Sequence, residues 1–127
     1  MPRFNIIFDT DTELNQLIAD NIVTAFEGGC NYWLNGAKIK GNDTPTRLWY
    51  SEPETYKPGF VMILKYDNPN AEGVIEKEVS YEDLIKGLEI MNEKFSVAYS
   101  DFVQETGDAT TADIFLQCTL FGELIFG

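Results

Sequence analysis

The chain has 127 residues, 44% of them hydrophobic and 13% aromatic, with 21 acidic side chains, 9 basic ones and a formal net charge of −12. This length and apolar content suit one domain with its own core. The acidity argues against a protein that binds nucleic acid directly or attaches to an anionic membrane. The chain has no histidine, the commonest general base, which disfavours triad catalysis and zinc hydrolysis.

Features of membrane and metal-binding proteins are also missing from the sequence. No apolar run approaches the roughly 20 residues that span a bilayer, and the first residues lack the long apolar segment of a signal peptide. We therefore expect a cytoplasmic protein with no membrane partner. Cys30 and Cys118 lie 88 positions apart without a neighbouring histidine or cysteine, so we expect two buried thiols and neither a metal site nor a disulfide.

The first predicted elements are a strand and a helix. Alternating apolar residues predict a strand from Arg3 to Phe8. Thr10 and Glu13 have the spacing of a capping box, and apolar residues then recur every three or four positions, which predicts an amphipathic helix. The pair Gly28-Gly29 is expected to end it.

The middle of the chain combines an irregular stretch with a hairpin. Residues 35–59 are rich in glycine, proline and asparagine, which leaves room only for a short strand around Leu48-Trp49-Tyr50. Two apolar strands are then predicted, from Phe60 to Tyr66 and from Val74 to Val79. With a seven-residue loop between them, they indicate an antiparallel hairpin.

A long helix follows the hairpin. Ser80 and Asp83 have capping-box spacing at its start, and the helical pattern of apolar residues continues from Tyr81 to Glu105. Its expected core positions share one face of the helix: Leu84, Leu88, Met91, Phe95, Tyr99 and Phe102.

A last helix completes the predicted fold. Thr110 or Thr111 is expected to cap it, and Gly122 to end it. We predict a single α+β domain over residues 1–127, with three helices packed on a small, mostly antiparallel sheet.

One motif resembles that of an enzyme. Phe8-Asp9-Thr10-Asp11-Thr12 is similar to the first motif of haloacid-dehalogenase-type phosphatases, in which the first carboxylate attacks phosphate and the second handles the leaving-group proton. That family also implies a parallel doubly wound sheet, whereas the later strands here predict an antiparallel hairpin. Helix capping explains these polar residues more simply. We therefore expect no enzymatic activity, no catalytic residues and no cofactor.

A second motif combines paired glycines with adjacent aromatic and amide side chains. It runs from Glu27 to Gly36 and includes Asn31, Tyr32 and Trp33. Such a segment can stack a flat ring and hydrogen-bond its edge, as a nucleobase site requires. The simpler interpretation is a helix end whose aromatic rings pack into the core.

A third group of polar residues lies on the last helix. Asp113 and Gln117 are one helical turn apart and can hold a polar ligand or a magnesium ion, although capping also explains the acidic and threonine residues around Asp113. Gln117 stands among apolar residues and should have a buried hydrogen-bond partner. Both groups combine apolar stripes with polar side chains, so we expect residues 27–33 to meet the last helix.

Two segments of the chain resemble a family of small acidic proteins of bacteriophages and prophages. They are Glu27-Gly28-Gly29 with Asn31-Tyr32-Trp33, and Asp108-Ala109 with the residues Thr111-Ala112-Asp113, Gln117, Phe121-Gly122-Glu123 and Gly127. The resemblance implies no activity. What it implies is a protein made inside an infected bacterium.

These observations predict a stoichiometric inhibitor that binds a host defence or nucleic-acid-processing protein through its negative surface. The expected contact residues are acidic and lie on the outer faces of the last two helices: Glu89, Glu93, Asp101, Glu105, Asp108 and Asp113. One alternative is a protein that sequesters a nucleotide signal, with Asn31, Tyr32, Trp33 and Gln117 as its site and Lys38, Lys40 and Arg47 as nearby cations. Another is a homo-oligomeric phage assembly protein.

Overall fold

The computed structural model describes residues 11–41 and 48–127, and for Asp11 and Thr12 it describes the backbone alone. Within these residues the chain forms an α+β domain with four α-helices and a three-stranded sheet. In chain order the elements are α1 (Asp11–Thr24), β1 (Leu34–Ile39), β2 (Val61–Asp67), β3 (Val74–Ser80), α2 (Tyr81–Lys94), α3 (Ser96–Val103) and α4 (Ala109–Phe121). The predicted fold class is confirmed, but with four helices instead of three.

The sheet is antiparallel, with β2 between β1 and β3. The predicted hairpin is confirmed, and Met62 of β2 pairs with Val79 of β3. Strand β1 was not predicted, because Asn35-Gly36 has the composition of a turn. In the structure these two residues lie instead at a register shift between Leu34 and Gly36, where β1 continues along β2.

The predicted short strand around Leu48-Trp49-Tyr50 is wrong. Residues Trp49–Ser51 form a 3-10 turn, and a second turn, Pro53–Thr55, follows directly. Trp49 is buried, so its apolar character reflects packing in the core and not a place in the sheet. A proline at the start of the second turn lacks the backbone N–H that a paired strand would need.

Helix α1 lies where it was predicted, and its end packs against α4. The helix widens into a π-helical turn, Ala25–Gly29, so the glycine pair does mark its end. A Cβ atom at Gly29 would lie 2.7 Å from the carbonyl oxygen of Ala109, so only glycine fits there without displacement. The predicted strand 3–8, the Thr10 cap and Asp9 lie outside the described residues.

The predicted single helix from Tyr81 to Glu105 is wrong, because the chain breaks at Phe95 into α2 and α3. Phe95 has φ −135° and ψ 60°, far from helical values. The apolar stripe continues across the break, which is why periodicity alone does not reveal it. The capping box of Ser80 and Asp83 at the start of α2 is confirmed. The predicted core positions of this region are buried except Phe95, which is half-buried.

Helix α4 is the central helix and contacts α1, α2 and α3. The predicted threonine cap is wrong: Asp108 caps α4, because its carboxylate accepts hydrogen bonds from the backbone N–H groups of Thr110 and Thr111. Gly122 ends the helix in the left-handed conformation, as predicted.

Two lysines hold the carboxyl end of α4. The ammonium group of Lys77 donates to the carbonyl of Leu120 at 2.7 Å, and that of Lys94 donates to the carbonyl of Gly122 at 3.2 Å. Both satisfy carbonyls at the end of the helix and oppose the negative end of its dipole. They also attach β3 and α2 to the end of α4.

Both cysteines lie in the described part of the chain. Cys30 and Cys118 are both buried free thiols. Among residues 11–41 and 48–127, no helix has the length and apolar character needed to cross a bilayer.

Packing between α2 and α4 gives a test of the fold. A Cβ atom at Gly87 would lie 2.8 Å from the Cα atom of Thr119, so Gly87→Ala forces the two helices apart. We expect a loss of about 1–3 kcal/mol in the free energy of unfolding, measured by chemical denaturation. Gly28→Ala is the matched control, because a Cβ atom there would have no other atom within 4 Å, and alanine should be neutral or stabilising. Equal effects of the two substitutions would contradict the packing described.

Candidate functional site

The loop after α1 and the middle of α4 meet at the carboxylate of Asp113. One carboxylate oxygen accepts hydrogen bonds from the indole Nε1 of Trp33 and from Nε2 of Gln117, each at 2.9 Å. The other oxygen accepts one from the hydroxyl of Tyr32. The thiol of Cys30 lies 3.6 Å from the first oxygen. The expectation that residues 27–33 meet the last helix is therefore confirmed, and we call these five residues the Asp113 cluster.

The cluster keeps its hydroxyl and thiol protonated. Burial, followed by the hydrogen bond to Asp113, raises the pKa of Tyr32 to about 12. Burial, and then the negative charge of Asp113, raises the pKa of the Cys30 thiol. Because a thiol reacts as its thiolate, Cys30 is poorly suited to nucleophilic chemistry. The arrangement joins segments of the fold and shows no activated nucleophile.

Trp33 lies in an aromatic group formed with residues from the sheet and from beyond α4. The ring of Phe126 is stacked on it, with centroids 5.1 Å apart and planes 5° apart. Tyr66 presents an edge at 6.3 Å, and Phe121 lies at 5.9 Å. Trp33 is only 1% exposed. The ring face that a flat ligand would use is therefore already covered by Phe126.

Gln117 has the buried hydrogen-bond partners that its position predicts. Its side-chain oxygen accepts from the backbone N–H groups of Ile125 and Phe126, at 2.7 and 2.9 Å. Its amide nitrogen donates to Asp113 and to the carbonyl of Phe126. The polar atoms of the Gln117 side chain are therefore already bonded to Asp113 and to the backbone of residues 125 and 126. Tyr32 is 53% exposed, and Asn31 is exposed at a shallow depression that Phe26 and Tyr50 also line.

The six acidic residues predicted as a contact surface divide into two groups. Glu93, Glu105 and Asp108 are exposed, and Glu89 and Asp101 are partly exposed. Asp113 was expected on the outer face, and this placement is wrong. It is partly buried and faces the loop after α1, because its carboxylate accepts hydrogen bonds from Trp33 and Gln117.

A groove lies between the α2–α3 break and the start of α4. It has a volume of about 570 Å³, with apolar side chains of Phe95, Val97 and Ile114 and the carboxylates of Asp101 and Asp108. We call it the acidic groove. Val97 is 76% exposed although it is apolar. Asp101 and Asp108 also line a neighbouring depression with Glu105, and α1 adds a fourth carboxylate there, Asp20.

Sequence reasoning missed Asp20 and Val97 as members of this surface. Asp20 belongs to a helix much earlier in the chain, and its neighbourhood with Asp101 depends on how α1 packs. Val97 lies two residues after Phe95, off the apolar stripe of the predicted helix, and its place in a groove depends on the break at Phe95, which local patterns do not reveal.

The groove carboxylates do not form a metal centre. In the part of the chain that the structure describes, no group of three or more cysteine, aspartate or glutamate side chains is arranged to hold a metal ion.

Comparison with known proteins found no match for the chain among family models, curated proteins or solved structures.

The Asp113 cluster predicts a pH dependence of stability at alkaline pH. The pKa of Tyr32 rises from 10.0 to about 12 in the folded protein, so the folded state favours the protonated hydroxyl. Its stabilising contribution is complete below about pH 10 and is lost as the pH rises from about 10 through about 12. Denaturant titrations of the parent and Tyr32→Phe should show a difference in stability that shrinks over this range. A constant difference would contradict the hydrogen bond to Asp113.

Proposed function

We propose that the chain is a stoichiometric inhibitor that binds a basic protein partner through the acidic groove. The observation that carries this proposal is the exposed apolar side chain of Val97 in a groove that Asp101 and Asp108 also line. An apolar centre with a charged rim is the arrangement that protein interfaces commonly have.

The charge around the groove favours a basic partner. Residues 95–127 contain five acidic side chains and no basic one, and Lys94 is the one cation that lines the groove among the described residues. Complementary charge accelerates association and selects partners by their sign. Like the groove itself, the neighbouring depression with Asp20 presents carboxylates to a partner.

The class of partner follows from the same charge. Proteins that process nucleic acids hold phosphates in basic clefts, and a rigid surface of carboxylates competes for such a cleft. The proposal therefore names a host defence or nucleic-acid-processing protein as the target, in the cytoplasm of an infected bacterium. The phage setting is supported by the sequence resemblance of the segments around Asn31-Tyr32-Trp33 and Asp113.

A charge-reversal experiment tests the acidic groove. The groove variant carries Asp101→Lys inside the groove, Glu93→Lys next to the groove residue Lys94, and Glu105→Lys in the neighbouring depression. It spares Asp108 because that residue caps α4. The control carries Glu54→Lys, Glu72→Lys and Glu76→Lys, which change the net charge equally at exposed positions outside the groove. Partners are captured from host lysate, identified by mass spectrometry, and titrated as purified proteins.

We expect a basic partner whose affinity falls at least about tenfold with the groove variant and changes little with the control. Raising the salt from about 0.1 M to 1 M should also weaken the complex, because the screening length shrinks from about 10 Å to about 3 Å. Val97→Asp tests the apolar centre and should weaken binding without loss of stability, since the side chain is exposed. Equal binding by the groove variant and the control would exclude this surface.

The nucleotide-binding alternative stays a prediction. Ligand binding at Trp33 would require Phe126 to leave its stacked position, and Gln117 to release the backbone that it holds. Denaturing extraction of the purified protein, followed by mass spectrometry of small molecules, tests for a bound nucleotide.

We further propose that the chain has no phosphatase activity. Asp9 lies outside the described residues, and Asp11 is the first residue of α1, a position where the helix dipole favours acidic residues. A magnesium-dependent phosphatase screen that compares the parent with Asp9→Asn should show no turnover that depends on Asp9. Turnover abolished by that substitution would overturn the proposal.

A further inference from the structure

The start of β1 contains an asparagine that is followed by a glycine, and both residues are in contact with water. Asn35 and Gly36 are exposed. In such a pair the backbone nitrogen of the glycine can attack the side-chain carbonyl carbon of the asparagine, because glycine has no Cβ atom to obstruct the approach. The pair has the composition of a turn although it lies in a strand, and the proposed function uses neither residue.

The sheet is irregular at this pair. Leu34 pairs with Tyr66, and Gly36 pairs with Lys65. Because Tyr66 and Lys65 are adjacent on β2, Asn35 is an extra residue that has no partner on that strand. Ladder pairing fixes a regular strand in an extended form, whereas an extra residue disrupts the ladder and bends the strand. The backbone at Asn35 therefore lacks the pairing that would hold the attacking nitrogen away from the side chain.

The side chain of Asn35 is oriented through its nitrogen atom. This nitrogen donates to a carboxylate oxygen of Asp67 at 2.7 Å and to the carbonyl of Trp33 at 3.3 Å. It is also the leaving group when the side-chain carbon is attacked, and it leaves after it has gained a proton. The negative charge of Asp67 stabilises the positive charge that the nitrogen then carries. Asp67 therefore favours the departure of this group.

We propose that Asn35 is a site of spontaneous deamidation. The backbone nitrogen of Gly36 bonds to Cγ of Asn35 and loses its proton to a base in the solvent, while the side-chain nitrogen gains a proton and leaves as ammonia. Water then opens the resulting cyclic imide at either of its two carbonyl groups. One opening gives aspartate, and the other gives isoaspartate, in which the main chain runs through the side chain. The net reaction consumes one water molecule and releases one ammonia molecule.

Either product changes the contact at the start of β1. The amide donor at position 35 becomes a carboxylate, which cannot donate to Asp67 and repels it. The product also adds a negative charge to a chain whose net charge is already −12. The backbone N–H of Asp67 donates to the carbonyl of Trp33 at 2.9 Å, so loss of this contact would loosen the loop that carries the Asp113 cluster.

Incubation of the folded chain in water enriched in a heavy oxygen isotope tests the reaction. Deamidation incorporates one oxygen atom from the solvent, so tandem mass spectrometry of the digested chain identifies each modified residue and separates aspartate from isoaspartate. We expect Asn35 to react fastest of the asparagines in the described residues. Its rate should rise with pH, because a base must remove the proton of the Gly36 nitrogen.

Two asparagines of the β2–β3 turn serve as controls within the same molecule. Asn68 precedes Pro69, whose nitrogen carries no proton, so Asn68 should stay unmodified. Asn70 precedes Ala71, and both are exposed. Asn70 should react more slowly than Asn35, because the methyl group of Ala71 obstructs the attack. This comparison separates the effect of the following residue from exposure alone.

Gly36→Ala is the matched variant. A Cβ atom at this position has no other atom within 4 Å, so the substitution should leave the fold intact. The added methyl group obstructs the backbone nitrogen, and most of the modification at Asn35 should be lost. Circular dichroism of the variant shows that it is folded.

A pair of substitutions tests the consequence of the reaction. Asn35→Asp has the sequence of one product and should lower the denaturant midpoint of unfolding, because two carboxylates then lie side by side. In the Asp67→Asn background this loss should shrink, because the amide introduced at position 67 donates to the new carboxylate.

The outcomes that contradict the proposal are distinct from those of the acidic groove, on which it does not depend. Modification at Asn35 that is no faster than at Asn70, or equal rates in the parent and Gly36→Ala, would overturn the site. An equal loss of stability in both backgrounds would overturn the repulsion between position 35 and Asp67. None of these measurements requires a partner protein, so failure of the inhibitor proposal would leave them unchanged.

Discussion

The structure depends on a single carboxylate that joins its first half to its last helix. Asp113 accepts hydrogen bonds from the loop after α1 and from Gln117 one turn further along α4. Through Trp33 the same carboxylate reaches the aromatic group that connects the sheet with the residues beyond α4. A partly buried acceptor that receives hydrogen bonds from several donors restrains their relative positions, because each donor would lose a partner if any element moved. Asp113 therefore ties α4 to the loop that precedes β1.

Local sequence patterns predicted much of the fold, and they failed where tertiary packing determines the secondary structure. Short-range signals predict the hairpin, the capping box of α2 and the carboxyl ends of α1 and α4, and the structure confirms these predictions. The break at Phe95 leaves the apolar repeat intact, so no periodicity argument can find it. Strand β1 begins at an Asn-Gly pair that has turn composition, and its pairing with β2 is a contact distant in sequence. Both failures concern tertiary structure overriding a local preference.

The candidate site shows the same limits. The sequence indicated that residues 27–33 meet the last helix, because each segment carries polar groups that the local structure does not explain. It could not show that Phe126 would cover Trp33, or that Asp113 would turn inward while Asp101 and Asp108 stay on the surface. The direction of a carboxylate on a helix depends on which neighbours the fold supplies. For this chain those neighbours come from sequence positions about 80 residues earlier.

The two lysines at the end of α4 have a consequence for how the molecule is handled. Lys77 and Lys94 are exposed, and each donates to a carbonyl at that helix end. Amine-reactive dyes and amine-coupled sensor surfaces acylate such side chains, which removes the positive charge and two of the three ammonium protons. The end of α4 would then lose its counterions at Leu120 and Gly122, the residues whose carbonyls the two lysines bind. Labelling through a cysteine introduced on the exposed β2–β3 turn leaves both lysines, and the ends they hold, as they are.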